Sequence, residues 1–403
     1  MVVRSRSQHG KKILGVEKLK ASVVSEIDAR RQQLSELSLK IHSNPELAFQ
    51  EVKAATWLTE YLKEDGFSIE LGICGLPTAF RASYGRGKPV IAILAEYDAL
   101  PEFGHGCGHN LIAASAAGAG VVSKLAIDNF GGSILVIGTP GEEIYGGKII
   151  MADRGAFDNV NIAMMVHPGT VNAAVTQFLS CQTLEVEFFG RSAHAAARPE
   201  AGINALEAML QSFAAINSLR QHIKDEARIH GIITDGGRAA NVVPAHSAGN
   251  FIVRAEDDSY LDELKEKVIN CFTGAATTSG ARLEYKWGEV RYAALRNNLT
   301  LARLFRRNMQ SLDRRMRLAD PSNSFGSSDI GNISQLVPAI HPLVSIATAE
   351  LLLHSPQFAL AAASEAGIHG LLDASKALAT TVVDLVANPG IVTRIREEFW
   401  RGK

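Results

Sequence analysis

Four cysteines in 403 residues are too few and too scattered for a disulfide framework. Cys74, Cys107, Cys181 and Cys271 fit a reducing compartment, and a cytoplasmic location is expected. Net charge is scarce too. The 41 basic and 42 acidic side chains leave a formal charge of -1, which gives no electrostatic footprint for nucleic acid. The amino terminus carries basic residues but no apolar core of signal-peptide length. No run approaches the roughly 18 apolar residues that a membrane span requires. Internal repeats and low-complexity stretches are missing as well. The expected partner is therefore a small molecule, not nucleic acid or membrane. With 46% apolar and 21% charged residues, the chain holds enough apolar material for more than one core.

What is present alternates. Helical spacing runs from Val16 to about Ile41, "HSNPELAFQE" interrupts it, and a second helical stretch covers Glu51 to Glu64. Val90 to Ala95 is a continuous apolar run, as a buried parallel strand would be, and Glu96 and Asp98 follow it. "LIAASAAGAGVVSKLA" reads as a small-residue helix, "GSILVIGTPGEE" as a strand ending in Glu142 and Glu143, and "NVNIAMMVHPG" as a strand ending in His167. This order predicts an α/β layer with a mostly parallel sheet flanked by helices, whose reacting groups gather beyond the strand ends.

Near Cys181 the texture changes. "LEVEFFG", a helix over Ala201–Leu219, "RIHGIITDGG", "HSAGNFIVRAE", a helix from Ser259 to about Ala275 and "RLEYKWGEVRY" give the order β-α-β-β-α-β with alternating strands. That order predicts an inserted α+β domain over 183–292. The catalytic α/β domain is then 16–182 with 293–403, after a loose tail over 1–15.

Thiolate, imidazole and carboxylate are the side chains that bind zinc and its neighbours. In "GHGCGHN" the glycines allow tight turns, so Cys107 and His109 can point into one crevice at a helix entrance. Glu142 and Glu143 are adjacent, so on extended backbone their side chains diverge. One could hold metal while the other faces water. Spacing does not choose between them. Taken singly, a buried Cys is usually apolar filler, paired glutamates a solvated face and "VHPG" a turn. Taken jointly, reactive residue types at three successive strand ends point to a metal site for hydrolysis.

The segments "HSNPELAFQE", "AEYDALPEFGHGCGHN", "GTPGEE", "MVHPG", "GRSAHAAARPEAGINA", "NVVP" and "LLLHSPQF" resemble, in order from His42 to Phe358, those of the di-metal aminoacylase, glutamate carboxypeptidase and amidohydrolase family. The narrower likeness is to the branch with aminobenzoyl-glutamate hydrolase and dipeptidase-like amidohydrolases. The resemblance implies that Cys107 bridges two divalent metals, with His109, Glu143, His167 and His354 as the other ligands. It also implies Glu142 as general base and acid, and Asp98 as a residue orienting a ligand. His194 would donate to the oxyanion across a dimer interface, and Asn241 and Arg254 would hold a substrate carboxylate. The Gly- and Ser-rich "SFGSSDIGNIS" could line the same pocket. A bridging thiolate favours zinc, with manganese next and cobalt also accepted.

In the amidohydrolase branch, Cys-Gly-His is usually followed by Asp and, two positions later, His. Here Asn110, Leu111 and Ile112 follow. The expected reaction is metal-dependent hydrolysis of an amide next to a free carboxylate, in an N-acyl amino acid, a dipeptide or an aminobenzoyl-glutamate-like conjugate. The expected assembly is a homodimer through the inserted domain. Two rival readings are a non-catalytic or partner-dependent metal-binding subunit, and an enzyme with Cys107 as nucleophile beside His109.

Overall fold

The computed structural model describes residues 3–320 and 326–402. The chain divides into two compact units. One comprises Met1–Gln177, Arg296–Ser324 and Asn332–Lys403, and the other Phe178–Leu295 with Phe325–Gly331.

The larger unit opens with α1 (Val3–Ala29), α2 (Arg31–His42) and α3 (Val52–Glu64). Backbone within the stretch read as a loose tail is thus helical from Val3 onward. There follow β1 (Ser68–Leu71), β2 (Phe80–Arg86), β3 (Val90–Ala95), α4 (His109–Phe130), β4 (Gly132–Gly138), α5 (Glu142–Tyr145), α6 (Gly147–Asp153), β5 (Ile162–Met164), β6 (His167–Gly169) and β7 (Ala173–Val175).

The smaller unit contains β8 (Ser180–Phe189), α7 (Ala205–Leu219), β9 (Arg228–Asp235), β10 (His246–Ala255), α8 (Asp258–Ser279) and β11 (Arg282–Tyr292). Its four strands form an antiparallel sheet in the order β11-β8-β10-β9. Along β8 the inward positions Leu184, Val186 and Phe188 are buried while the residues between them are exposed, the period-two signature of a half-covered sheet. Met209 from α7 and Leu264, Val268 and Phe272 from α8 close the core on that face.

The chain then continues through α9 (Leu299–Gln310), β12 (Arg317–Ala319), α10 (Ile330–Leu336), β13 (Ala339–Ile340), β14 (Leu343–Ser345), α11 (Pro356–Ala362), α12 (Glu365–Ala387) and α13 (Pro389–Arg401). In the larger unit a six-stranded sheet runs β1-β2-β4-β3-β5-β13, parallel from β4 to β13 and antiparallel at the β1 and β2 edge. A second sheet runs β12-β7-β14-β6.

Helix α4 is the centre of that unit. It is buried along most of its length, and by length and composition it is apolar enough to cross a membrane. The expectation that no segment reaches that length is corrected here: α4 owes its composition to being surrounded by protein. Small residues let neighbours approach its axis. A Cβ on Gly120 would lie 2.2 Å from Val136 Cγ2 on β4, and one on Gly118 would lie 2.8 Å from Leu34 Cδ1 on α2. Gly120→Ala should therefore destabilise by about 2 kcal/mol from overpacking, although alanine gains roughly 1 kcal/mol of helix propensity. Chemical denaturation checks this, and an unchanged or raised midpoint would contradict the close packing.

Candidate metal centre

Five donor side chains converge in the larger unit. Cys107 and His109 flank Gly108, whose φ of 79° is left-handed backbone that glycine adopts without strain. A Cβ at Gly108 would lie 2.5 Å from Pro168 Cγ, so the loop also needs glycine for its approach to the His167 strand.

Hydrogen bonds fix how both buried imidazoles present themselves. His109 Nδ1 donates to Asp98, 2.9 Å from Oδ1 and 3.0 Å from the carbonyl oxygen. His167 Nδ1 donates to the Pro168 carbonyl at 2.6 Å. Each ring therefore carries its proton on Nδ1 and turns an Nε2 lone pair inward, the tautomer a metal ligand requires.

Glu142 and Glu143 lie on the single turn of α5, entered through Gly141 at φ 71°. This corrects the extended geometry expected for them. On helical backbone successive side chains still diverge, by about 100°. Glu143 N donates to Asp98 Oδ2 at 3.0 Å, so one aspartate holds both the His109 ring and the turn that carries Glu143.

His354 arrives from a loop far along the chain. Its backbone N donates to Gly106 O at 2.9 Å, and its φ of 57° is a left-handed conformation uncommon for a residue with a Cβ. Its side chain is half exposed, which sets it on the solvent side of the centre.

The donors fall into groups that share members. Cys107, His109 and His167 bring ligand atoms within 4.8 Å of one another, as do Cys107, Glu143 and His354, and again His109, Glu142 and Glu143. Cys107 Sγ lies 3.4 Å from His167 Nε2, and Glu143 Oε1 lies 3.6 Å from His354 Nε2 and 3.7 Å from His109 Nε2. Tetrahedral zinc with bonds of about 2.0 to 2.3 Å separates neighbouring donors by roughly 3.3 to 3.8 Å. His109 Nε2 and Glu143 Oε1 are buried with no hydrogen-bond partner among the described residues, which a bound cation would explain. Burial, and after it Glu143, push the Cys107 thiol well above its usual range. A divalent cation in contact reverses that balance. The residues present fit a divalent metal centre.

One carboxylate here was given no role from sequence. Glu96, 1% exposed, pairs through Oε1 with the fully buried Lys148, while Oε2 lies 3.4 Å from His109 Nε2. Burial opposes its charge, but the Lys148 ammonium outweighs burial and pulls the carboxyl down to about 2. Lysine on α6 gives no sequence signal of this pairing, because the fold alone brings it under the strand end.

Three further expected residues belong to the smaller unit. His194 is exposed, and its Nδ1 accepts from the backbone N–H groups of Ala196 and Ala197 at 3.3 and 3.2 Å. An antiparallel bridge between His194 and Val242 sets it beside Asn241. Arg254 sits elsewhere in that unit. It lies eight residues beyond His246 along β10, about 27 Å at the usual strand rise, and donates to Ser327 Oγ at 2.7 Å. Within this unit Asn241 and Arg254 are thus not neighbours. Residues 324 and 325 of "SFGSSDIGNIS" lie outside the described residues.

Asn110 has a structural explanation. Its amide donates to Ser38 Oγ at 2.9 Å and to Ala362 O at 3.2 Å, tying α4 to α2 and α11. Aspartate would remove both donors and bury a charge between acceptors. Asn110→Asp should cost about 2 to 4 kcal/mol in stability while metal content per folded chain stays unchanged. Thermal denaturation with elemental analysis checks both, and loss of metal without loss of stability would place Asn110 in the metal centre.

Residues 181–276 match the model of a peptidase dimerisation domain. Over 400 residues the chain is 35% identical to the Xaa-Arg dipeptidase of Mus musculus, covering 95% of this chain and 93% of that protein. It is 28% identical over 452 residues to a p-aminobenzoyl-glutamate hydrolase polypeptide of Escherichia coli, covering 92% of this chain and 93% of that one. Its fold superposes with a TM-score of 0.73 on a dinuclear metal-binding peptidase of the M20 family from Bacillus subtilis, at 22% identity over 89% of this chain and 99% of that one. The 35% identity to the dipeptidase over 95% of this chain, with the dimerisation-domain match, shows that the chain belongs to the M20 peptidase family and is a metal-dependent hydrolase of amide bonds.

Proposed function

We propose that the protein hydrolyses the amide bond of a dipeptide or N-acyl amino acid that carries a free carboxylate, using two divalent ions held by Cys107, His109, Glu143, His167 and His354. The observation that carries this reading is the pair of donor groups sharing Cys107, with Glu142 beside His109 and Glu143 on the same turn. The similarity to an Xaa-Arg dipeptidase supports a dipeptide, with arginine as the first candidate for the residue released. Zinc is proposed first and manganese next, on the softness of a thiolate donor beside imidazole and carboxylate.

When bound, the ions supply Lewis acidity and a lowered pKa for water. The chain's own groups do the rest. Glu142 takes the proton of the attacking water on a carboxylate oxygen and returns it to the departing amine. Asp98 keeps the His109 ring and the Glu143 turn in place. With Nδ1 of His194 accepting from the backbone, its outward Nε2–H is the donor offered to the developing oxyanion. The substrate carboxylate is proposed to be held by the guanidinium fork of Arg254 from one subunit and by Asn241 of the partner subunit, since the two are not neighbours within one chain. A dimer formed through the smaller unit is proposed from the dimerisation-domain match, and a cytoplasmic location from the unpaired cysteines. Cys107 is not read as a nucleophile, because its Sγ lies among the same imidazole and carboxylate atoms that would hold the metal.

Amine release from a panel of dipeptides and N-acyl amino acids, measured by mass spectrometry on zinc- and manganese-loaded protein, tests the reading. Chelator should abolish it, and persistence after complete metal removal would refute the mechanism. Glu142→Gln should retain near-normal metal content and lose about 100- to 10,000-fold in kcat; full turnover in that variant would remove Glu142 as the base. His354→Ala should lower metal per chain, whereas unchanged stoichiometry would take His354 out of the ligand set.

A further inference from the structure

The segment "HSNPELAFQE" joins α2 to α3, and none of its residues belongs to the donor set. Its carbonyl and carboxylate oxygens nevertheless bind the turn that carries Glu142 and Glu143 and the loop that carries Asp98. Glu51, fully buried, accepts at Oε1 from Phe49 N and from Gly141 N, both at 2.9 Å, and at Oε2 from Thr78 Oγ1 at 2.9 Å. Gly141 is the residue immediately before Glu142.

Phe49 grips the same turn from its other side. Its ring stacks on Tyr145 with centroids 5.2 Å apart and planes 15° from parallel, and a Cβ on Gly141 would lie 2.8 Å from that ring. To reach there Phe49 holds φ at 63°, a left-handed conformation uncommon for an aromatic residue, which Glu51 secures by accepting from its N–H. Further back in the same connection, Glu46 O accepts from Ala99 N at 2.8 Å, beside Asp98. The short turn of α5 and the Asp98 loop are thus both referenced to one connection, not to each other alone.

We propose that Glu51 is a positioning residue for hydrolysis: by holding Gly141 N while Phe49 packs against Tyr145, it fixes the turn that aims Glu142 and Glu143. The proposal rests on the reading of Glu142 as the proton-transfer group. A turn of four residues has too few internal hydrogen bonds to hold its own orientation, so the aim of both carboxylates depends on an outside anchor. Glutamine should serve nearly as well as glutamate. Its oxygen can accept both backbone N–H groups while its amide donates to the rotatable Thr78 hydroxyl. Burial pushes the Glu51 carboxyl up to about 7, so a neutral side chain is close to what this pocket already accommodates.

The test compares Glu51→Ala, Glu51→Gln and Phe49→Ala in the metal-loaded full chain, reading kcat and KM together with amide hydrogen exchange over residues 139–147. For Glu51→Ala we expect exchange in that segment to rise at least about 10-fold. We expect kcat to fall by about 100-fold with KM within about three-fold of wild type. Glu51→Gln should stay within about three-fold of wild type on both readouts, and Phe49→Ala should shift both in the direction of Glu51→Ala. Unchanged exchange in Glu51→Ala, unchanged kcat, or a glutamine variant as damaged as the alanine one would each overturn the proposal. Should Glu51→Ala not fold, Phe49→Ala decides, and wild-type exchange and kcat in that variant would overturn the proposal. A wild-type protein that hydrolyses no amide in the panel would refute the functional reading, while the exchange measurements would still decide the anchor.

Discussion

Asp98 is the hinge pin of the molecule's chemistry. Its two carboxylate oxygens are divided between different loops, Oδ1 on the His109 ring and Oδ2 on the backbone of Glu143. The first bond decides which imidazole nitrogen is left bare, and the second decides where the glutamate turn sits. The buried sheet brings the ends of β3 and β4 side by side, in register from Val90 opposite Ser133 to Ala95 opposite Gly138. Asp98 converts that register into a fixed relation between donors. Cys107 and His167 are brought together separately, where Gly108 at the start of α4 packs against Pro168 on β6 of the second sheet.

Much of this was legible in the sequence, for a physical reason. Apolar runs the length of a buried strand, each ended by acidic or imidazole side chains, have few uses other than a site at a sheet's carboxyl edge. The β-α-β-β-α-β order from Ser180 to Tyr292 was legible because a sheet covered on one face writes its period into every strand. His354 was not legible from its neighbours. It reaches the centre through a backbone bond to Gly106 and a left-handed φ, and neither leaves a mark in local composition. Only resemblance brought it forward.

Other features were hidden because they depend on pairing between distant segments. Lys148 under Glu96, and Glu51 beneath Gly141, are charged residues that sequence alone would place on solvated faces. Burial changes their meaning: a charge removed from water must have a partner, and the partner reveals what is being held. Asn110 is the reverse case. It drew attention as a departure from a family pattern, yet its amide donates into the helix packing. The turn at Glu142 and the apolar length of α4 were misjudged for a common reason, since adjacent-residue spacing and hydropathy describe a segment and not what surrounds it.

The tether between His354 and Gly106 also sets an order of events during synthesis. Cys107, His109, Glu143 and His167 all precede the smaller unit, and His354 follows it. A chain leaving the ribosome therefore exposes four donors while the whole of the smaller unit is still being made, at roughly 5 to 20 residues per second. Whatever order the rest of the chain folds in, His354 can join the other four donor side chains only after the whole of the smaller unit has been synthesised.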